Sequence, residues 1–81
     1  MKLAYIEWWD HCSFMEYKWR SLDEISDLAP TLVKSVGWIL KETKEYITIV
    51  STLDEGESIA CAEMCILKGQ IKKKKVLDKS L

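Results

Sequence analysis

Trp9 and Trp19 are the residues of this sequence that most suggest a ligand, because each has a polar or charged neighbour. Asp10 follows Trp9, and Arg20 follows Trp19. An exposed indole can stack on a nucleobase while a nearby cation contacts the phosphate, which suits a nucleotide or a single-stranded nucleic acid. Trp and Arg equally dominate the energetics of protein interfaces. A third interpretation is structural, with both indoles covering a short helix.

Asp10 and Ser13 are two hydrogen-bonding residues within four positions after Trp9. Such side chains commonly bond to the backbone a few residues on, so the simpler interpretation is an Asx-type turn that closes a strand. The alternative is that both side chains offer hydrogen bonds to a ligand. The candidate binding residues near the N-terminal half are therefore Trp9, Asp10, Ser13, Trp19 and Arg20.

A run of lysines, Lys72 to Lys75, is the second feature that could bind an anion. Alternate side chains of a strand point to opposite faces, so either Lys73 and Lys75 or Lys72 and Lys74 are expected on the open face of the last strand. A lysine run on an edge strand commonly prevents aggregation by edge-to-edge pairing. The functional alternative is that Lys72 and Lys74 contact phosphates, in which case added salt would weaken binding.

His11, Cys12, Cys61 and Cys65 are the residues that could hold a metal ion or act as a nucleophile. Structural zinc sites usually place close pairs of ligands in loops, whereas two of these residues are adjacent and the other two lie in a predicted strand. Cys61 and Cys65 are therefore expected to pack as small hydrophobic residues. A Cys–His nucleophile needs an orienting third group, and the sequence offers neither that nor a glycine-rich phosphate loop. We expect no catalytic residue, no metal, no cofactor and no enzymatic activity.

The length and composition indicate one small folded domain. A chain of 81 residues is too short to divide, so residues 1–81 are expected to form a single domain. With 48% hydrophobic residues, disorder is not expected. A core of this size buries a limited share of the chain's surface, which favours a homo-oligomer.

The charge and the apolar pattern bear on partners and location. A formal net charge of −1 argues against a duplex-DNA binder, although residues 72–75 form a local basic strip. No apolar run approaches the length of about 20 residues that a membrane span needs, and the N-terminus lacks the apolar core of a signal peptide. We therefore expect a cytoplasmic protein that does not contact a membrane and keeps its three cysteines reduced.

Five short strands are predicted to position these residues. Residues 2–8 form the first strand, residues 33–53 form a hairpin that turns at the charged patch 41–45, and residues 58–66 and 71–77 form two more strands around a tight turn at Gly69. The segment 58–66 also has helix-forming residues, but the turn and strand after it favour a strand. Trp8 and Trp38 are expected in the core. At Gly37 we expect the sheet to bend or another group to approach closely.

The long connection, residues 10–30, is expected to contain a short helix. Ser21 and Glu24 form a capping box, and Leu22, Ile25 and Leu28 would lie on one face that packs on the sheet over about two turns. This order of elements is typical of an all-β, five-stranded SH3-like or Sm-like small barrel, with one short helix in the long loop after the first strand.

Three segments also resemble a known group of proteins. They are the segments 7–10 (EWWD), 35–42 (SVGWILKE) and 66–71 (ILKGQI). Together they resemble small uncharacterised proteins of bacteriophages and prophages, which have Trp-x-Asp, Ser-Val-Gly-Trp and Ile-Pro-Lys-Gly-x-Ile motifs. Leu67 stands where those proteins have proline. The resemblance implies an accessory phage protein in the host cytoplasm, where small barrels often act as binders or decoys.

The function expected from the residues and the resemblance together is non-enzymatic binding. The leading hypothesis is a counter-defence protein that sequesters or blocks a host component, with the aromatic and basic residues holding a nucleotide signal between subunits. One alternative is an inhibitor that docks on a host protein through the same aromatic residues. Another is a small barrel that binds single-stranded nucleic acid.

Overall fold

The computed structural model describes residues 1–11 and 17–80, the last three by their backbone alone. These residues form five strands, one short α-helix and one 3-10 turn. In chain order the elements are β1 (Lys2–Asp10), α1 (Leu22–Ser26), β2 (Thr31–Glu42), β3 (Tyr46–Asp54), β4 (Ile59–Leu67), the 3-10 turn Lys68–Gln70 and β5 (Ile71–Ser80). The predicted strand at 58–66 and the predicted hairpin are both confirmed.

All five strands belong to one antiparallel sheet in the order β4-β3-β2-β1-β5. Two hairpins place β2, β3 and β4 side by side, while β1 pairs with β2 across the long connection. The predicted all-β class with five strands is therefore confirmed. The two edge strands follow one another in the chain, but along the described residues they do not pair with each other, so the sheet is not closed into a barrel.

One face of the sheet carries the main core cluster, and we call it the core face; Val50, which is also buried, lies on the other face opposite Trp38. Its fully buried side chains are aliphatic, and Trp8, Ile39 and Ile71 pack against them. The Trp8 indole N–H donates a hydrogen bond to Ser35 Oγ at 3.0 Å, which satisfies the polar atom of this large side chain. The buried residues of this cluster are Ala4, Ile6, Ile47, Ile49 and Ile66. The inward position predicted for Trp8 is thus confirmed.

Trp38 lies on the opposite face, which we call the open face. The register pairs Leu3 with Trp38 and Ala4 with Gly37, and directly opposed residues of neighbouring strands share a face. Because Ala4 belongs to the core face, Trp38 does not. The prediction that Trp38 joins Trp8 in the core is wrong, since the phase of β2 is set by its pairing with β1 and cannot be counted along β2 alone.

Gly37 occupies the inward position beside Trp38, where β2 and β3 are in close contact. A Cβ atom at Gly37 would lie 2.9 Å from the Val50 carbonyl oxygen and 3.1 Å from Ile49 Cβ. The expected close approach is therefore confirmed. The register of this pair of strands shifts two residues further on, between Ile39 and Lys41.

The helix α1 begins as predicted but does not pack on the sheet. Ser21 Oγ accepts a hydrogen bond from the Glu24 N–H at 3.1 Å. None of residues 22–26, all of them described, is buried, and Leu22 is 83% exposed. The predicted packing is wrong because the helix ends at Ser26, so Leu28 is not part of its apolar face and too little apolar surface remains. Along the described residues no helix has the length and apolarity to cross a membrane.

Candidate functional site at the end of the first strand

A cleft of about 280 Å³ lies where β1 ends, and we call it the Trp9 cleft. Trp9 and Asp10 are the last two residues of β1 and pair there with the first residues of β2. The chain before β2 and the 3-10 turn form the other walls. The lining residues are Trp9, Asp10, His11, Leu28, Ala29, Pro30 and Gln70. The cleft thus combines an indole, a carboxylate, an imidazole and a carboxamide.

Lys72 reaches the rim of this cleft because of a β-bulge. On β1 and β5, Glu7 pairs with Lys73 whereas Trp8 pairs with Ile71, which leaves Lys72 as the extra residue. Bulges re-aim side chains in this way. The Lys72 ammonium lies 5.8 Å from the centroid of the Trp9 ring, and Trp9 is 42% exposed. Of the predicted aromatic and basic residues, the structure thus brings together Trp9 and Lys72.

His11 and Gln70 close the polar side of the cleft, and neither is among the binding residues predicted from the sequence. The Gln70 amide nitrogen is 3.2 Å from His11 Nε2 and donates to it when the imidazole proton is on Nδ1. The two residues are 59 positions apart in the chain. They meet because the 3-10 turn delivers β5 to the free edge of β1, so only the sheet topology could have revealed the contact.

Of the two alternatives for the open face of the last strand, the pair Lys73 and Lys75 is confirmed, and the pair Lys72 and Lys74 is wrong. Lys74 is opposite Ile6, on the core face, and its ammonium is 3.2 Å from Glu42 Oε2. The bulge at Lys72 is the reason, because it breaks the strict alternation on which the prediction was based. Of the two lysines, Lys72 is the one that lies over the Trp9 ring, beside the cleft.

Glu42 is held by two lysines, and we call Glu42, Lys68 and Lys74 the Glu42 clasp. The Lys68 ammonium is 2.8 Å from Glu42 Oε2, the same oxygen that Lys74 contacts. Hydrogen bonds from Lys68 and then Lys74 hold the pKa of Glu42 below its ordinary value. The clasp links the end of β2 to the 3-10 turn and to β5, where the edge strands do not pair.

The remaining predicted site residues lie apart from the cleft or outside the described part of the chain. Trp19 is fully exposed in the connection before α1. The Arg20 side chain is 13% exposed, and its Nη1 lies 4.0 Å from Glu24. Neither residue is among those that line the Trp9 cleft. Ser13, and with it the predicted Asx-type turn, lies outside the described residues.

The cysteines of β4 are not packed in the core. Cys61 and Cys65 are both exposed free thiols, so the prediction that they pack as small hydrophobic residues is wrong. The physical reason is that β4 is an edge strand on which only Ile66 is buried. Among residues 1–11 and 17–80, no three His, Cys, Asp or Glu side chains come together in a way that could hold a metal ion. Cys12 lies outside those residues.

Charged residues are also concentrated on the open face. Glu7 pairs with Lys34 on β2 and with Lys73 on β5. The Tyr5 hydroxyl donates a hydrogen bond to the Glu7 carboxylate, which lowers the pKa of Glu7 and raises the pKa of Tyr5. Charges of Lys73, Lys34 and Lys72 lower the pKa of Glu7 further.

Comparisons of the chain with protein-family models, with curated proteins and with solved structures give no match.

Proposed function

We propose that the protein is a non-enzymatic binding protein that holds a nucleotide in the Trp9 cleft. The observation that carries the proposal is the Lys72 ammonium over the exposed Trp9 indole, at the rim of a cleft lined by hydrogen-bonding side chains. A cation–π contact at an exposed site contributes only about 0.5–1 kcal/mol. A nucleobase can therefore take the place of the ammonium on the indole, and the ammonium then contacts a phosphate.

The polar walls of the cleft suit the edge of a base. Asp10 accepts hydrogen bonds, the Gln70 carboxamide both donates and accepts, and His11 does either according to its tautomer. Asp10 and Gln70 are half-buried, so their hydrogen bonds to a ligand would be partly shielded from water. This combination favours a base with both donors and acceptors along its edge.

The biological role in this proposal is that of a phage accessory protein of the counter-defence type. It would act in the host cytoplasm by sequestering a nucleotide signal. The support is the resemblance of segments 7–10, 35–42 and 66–71 to small phage and prophage proteins. The first of these segments ends in the residues that line the cleft, Trp9 and Asp10.

We further propose that the sheet is an open variant of an SH3-like or Sm-like small barrel and that it assembles into a homo-oligomer. The order β4-β3-β2-β1-β5, with the two edges joined by one 3-10 turn, supports the barrel relationship. The exposed edge strand β4 supports assembly, because unpaired strand edges are sites of association.

A second candidate function, docking on a host protein, is favoured by the connection before β2. Trp19 is fully exposed there and Leu22 is 83% exposed. Large apolar side chains in such positions are typical anchors of protein interfaces.

Native mass spectrometry of the protein purified from its expression host tests the nucleotide proposal, followed by calorimetric titration with nucleoside triphosphates and cyclic dinucleotides. We expect a nucleotide-sized added mass, and an affinity that falls about tenfold in Lys72→Gln, since a hydrogen bond to a charged group contributes about 1.5–3 kcal/mol. The control is Lys44→Gln, which makes the same change of charge at an exposed position in the turn between β2 and β3.

Two results would contradict the proposal. One is a wild-type protein that carries no added mass and binds none of these nucleotides. The other is a nucleotide affinity that Lys72→Gln and Lys44→Gln leave equally unchanged. Capture of a host protein that Trp19→Ala abolishes would then support the docking function in its place.

A further inference from the structure

We infer that the open face of β5, β1 and β2 is a binding surface for single-stranded nucleic acid. This surface is separate from the polar walls of the Trp9 cleft and does not depend on a nucleotide in it. Its residues are Tyr5, Glu7, Lys34, Val36, Trp38, Lys73 and Lys75, with Trp9 and Lys72 at the end next to the cleft.

The strand register places lysines on both sides of the central strand. Lys34 and Lys73 flank Glu7 in one row across the sheet, and Lys75 flanks Tyr5 in the next row. All three lysines are exposed. These three lysines surround one carboxylate, that of Glu7, so the surface carries an excess of positive charge although the formal net charge of the chain is −1. A surface of this kind attracts a phosphate backbone.

Aromatic and apolar side chains lie beside these lysines: Tyr5 is directly opposite Lys75, and Trp38 lies in the next row, opposite Leu3. Tyr5 and Trp38 are half-buried, which leaves part of each ring accessible, and Val36 is 50% exposed. Trp9 follows Glu7 by two residues on β1, lies on the same face and is 42% exposed. Rings beside cations are the arrangement on which successive unpaired bases stack while their phosphates contact the lysines.

The Glu7 carboxylate does not abolish the positive charge of this surface, because it is already hydrogen-bonded within the protein. Its carboxylate accepts the hydrogen bond of Tyr5 and lies between two lysines. In this position it orients the phenol ring. The three lysines around it are exposed, whereas Glu7 is half-buried.

The occupant is a single strand rather than a duplex or an acidic protein. The bases of a duplex are stacked on one another and cannot reach the rings of Tyr5 and Trp38, which would leave only phosphate contacts. An acidic protein segment would use the lysines but offers no planar groups for the rings at regular intervals. Only an unpaired strand supplies both along its length.

Fluorescence anisotropy with labelled oligothymidylate of about 12 nucleotides tests the inference. For single strands log K falls with log salt by about 0.7 per phosphate contacted, so three lysines predict a slope near −2. Affinity should therefore fall about 20-fold between about 50 and 200 mM salt. Lys73→Gln and Lys75→Gln should each make the slope shallower by about 0.7, whereas Lys44→Gln, with the same loss of charge, should not.

The ring contribution is tested at Tyr5 with two variants. Tyr5→Phe keeps the ring and should retain binding within about threefold, whereas Tyr5→Ala removes it and should lose about tenfold, within the range measured for stacking. Circular dichroism of each variant shows whether the sheet is retained. If Tyr5→Ala does not fold, the lysine variants on exposed positions still decide the result.

Four results would overturn the inference. They are no oligothymidylate binding by the wild type at low salt, equal affinity for a duplex of the same length, equal competition by polyglutamate and a salt slope that Lys73→Gln leaves unchanged. The nucleotide titrations of the wild type are run alongside. Loss of nucleotide binding alone contradicts the cleft proposal, and loss of oligothymidylate binding alone contradicts this inference.

Discussion

At Gly37 the chain of β3 approaches β2 so closely that an added Cβ would lie 2.9 Å from the Val50 carbonyl oxygen. Val50 and Ile49 are both buried, so neither can move without shifting β3. Gly37→Ala is therefore expected to lower the free energy of unfolding by about 1–3 kcal/mol through overpacking. Urea denaturation followed by circular dichroism should show a lower midpoint with an unchanged slope.

Gly69→Ala is the matched control for this prediction. No described atom lies within 4 Å of a Cβ built at Gly69, and its φ is not positive. The substitution should leave stability unchanged or raise it by up to about 1 kcal/mol, because alanine restricts the unfolded chain. Equal stability of the two alanine variants would show that β2 and β3 are not as close at Gly37 as described.

Single residues also show where the sequence was informative about the site. Trp9 and Asp10 could be chosen as binding residues because the strand alternation left Trp9 out of the inward set. Lys72 could also be predicted from the sequence as a binding residue, but its contact with Trp9 depends on a β-bulge that no local sequence pattern encodes. The contact between Gln70 and His11 could not be found, because the two residues are 59 positions apart and only the topology brings them together.

At the scale of elements, the Glu42 clasp holds together the region where the sheet does not close. Its three residues come from β2, the 3-10 turn and β5. The Lys68 N–H also donates to the Glu45 carbonyl oxygen at 2.7 Å, so the turn is fixed by backbone as well as by charge. The clasp therefore stabilises the path by which the chain passes from one edge of the sheet to the other.

Glu42→Gln should lower the free energy of unfolding at neutral pH, and the loss should disappear in acid. The pKa of Glu42 is lower in the folded protein than its ordinary value of 4.5. The stability that its charge contributes is thus fully present above that ordinary value, and it is lost as pH falls through the lowered one. Because the Glu42 side chain is 35% exposed, water screens the pairs and about 0.5–1 kcal/mol is expected.

Urea denaturation of the wild type and Glu42→Gln near pH 7 and near pH 3 measures this difference. Glu55→Gln, an exposed carboxylate in the turn between β3 and β4, is the control and should match the wild type at both values. A deficit of Glu42→Gln that stays the same in acid would mean that packing, not charge, links these elements.

Element type was more predictable than element packing. The strands follow from short apolar and alternating runs, and the start of α1 follows from the Ser21 cap, which is a contact within four residues. Whether α1 packs on the sheet depends on how many apolar residues the helix contains. That number is set by the residue at which the helix ends, and here the C-cap is Asp27. Sheet closure depends on the spacing of the two edges, which no local pattern determines.

The molecule as a whole is less compact than its length allows. Its Cα radius of gyration is 16.2 Å, whereas a compact chain of this length would have about 12 Å. The cause is a single open sheet with one covered core and with β4 exposed along most of its length. A small domain of this shape gains stability when another molecule covers its open edge.

We expect a second copy of the chain to contact β4 at its apolar end. Ile59 is 62% exposed and lines a cleft of about 580 Å³ together with Leu40 and Leu53. Ile59→Lys should therefore weaken self-association, because a lysine at a strand edge opposes pairing and removes apolar contact. Sedimentation velocity over a range of protein concentrations should show an oligomer for the wild type and a shift toward monomer for the variant.

Leu22→Lys makes the same kind of change at the first residue of α1, which is 83% exposed and is not part of a strand, and it should sediment like the wild type. If both variants dissociate equally, the contact does not involve the edge of β4. A wild type that is monomeric at every concentration would contradict the oligomer outright. The open sheet would then be stable alone, and a nucleotide would have to be held by the Trp9 cleft of one subunit rather than between two.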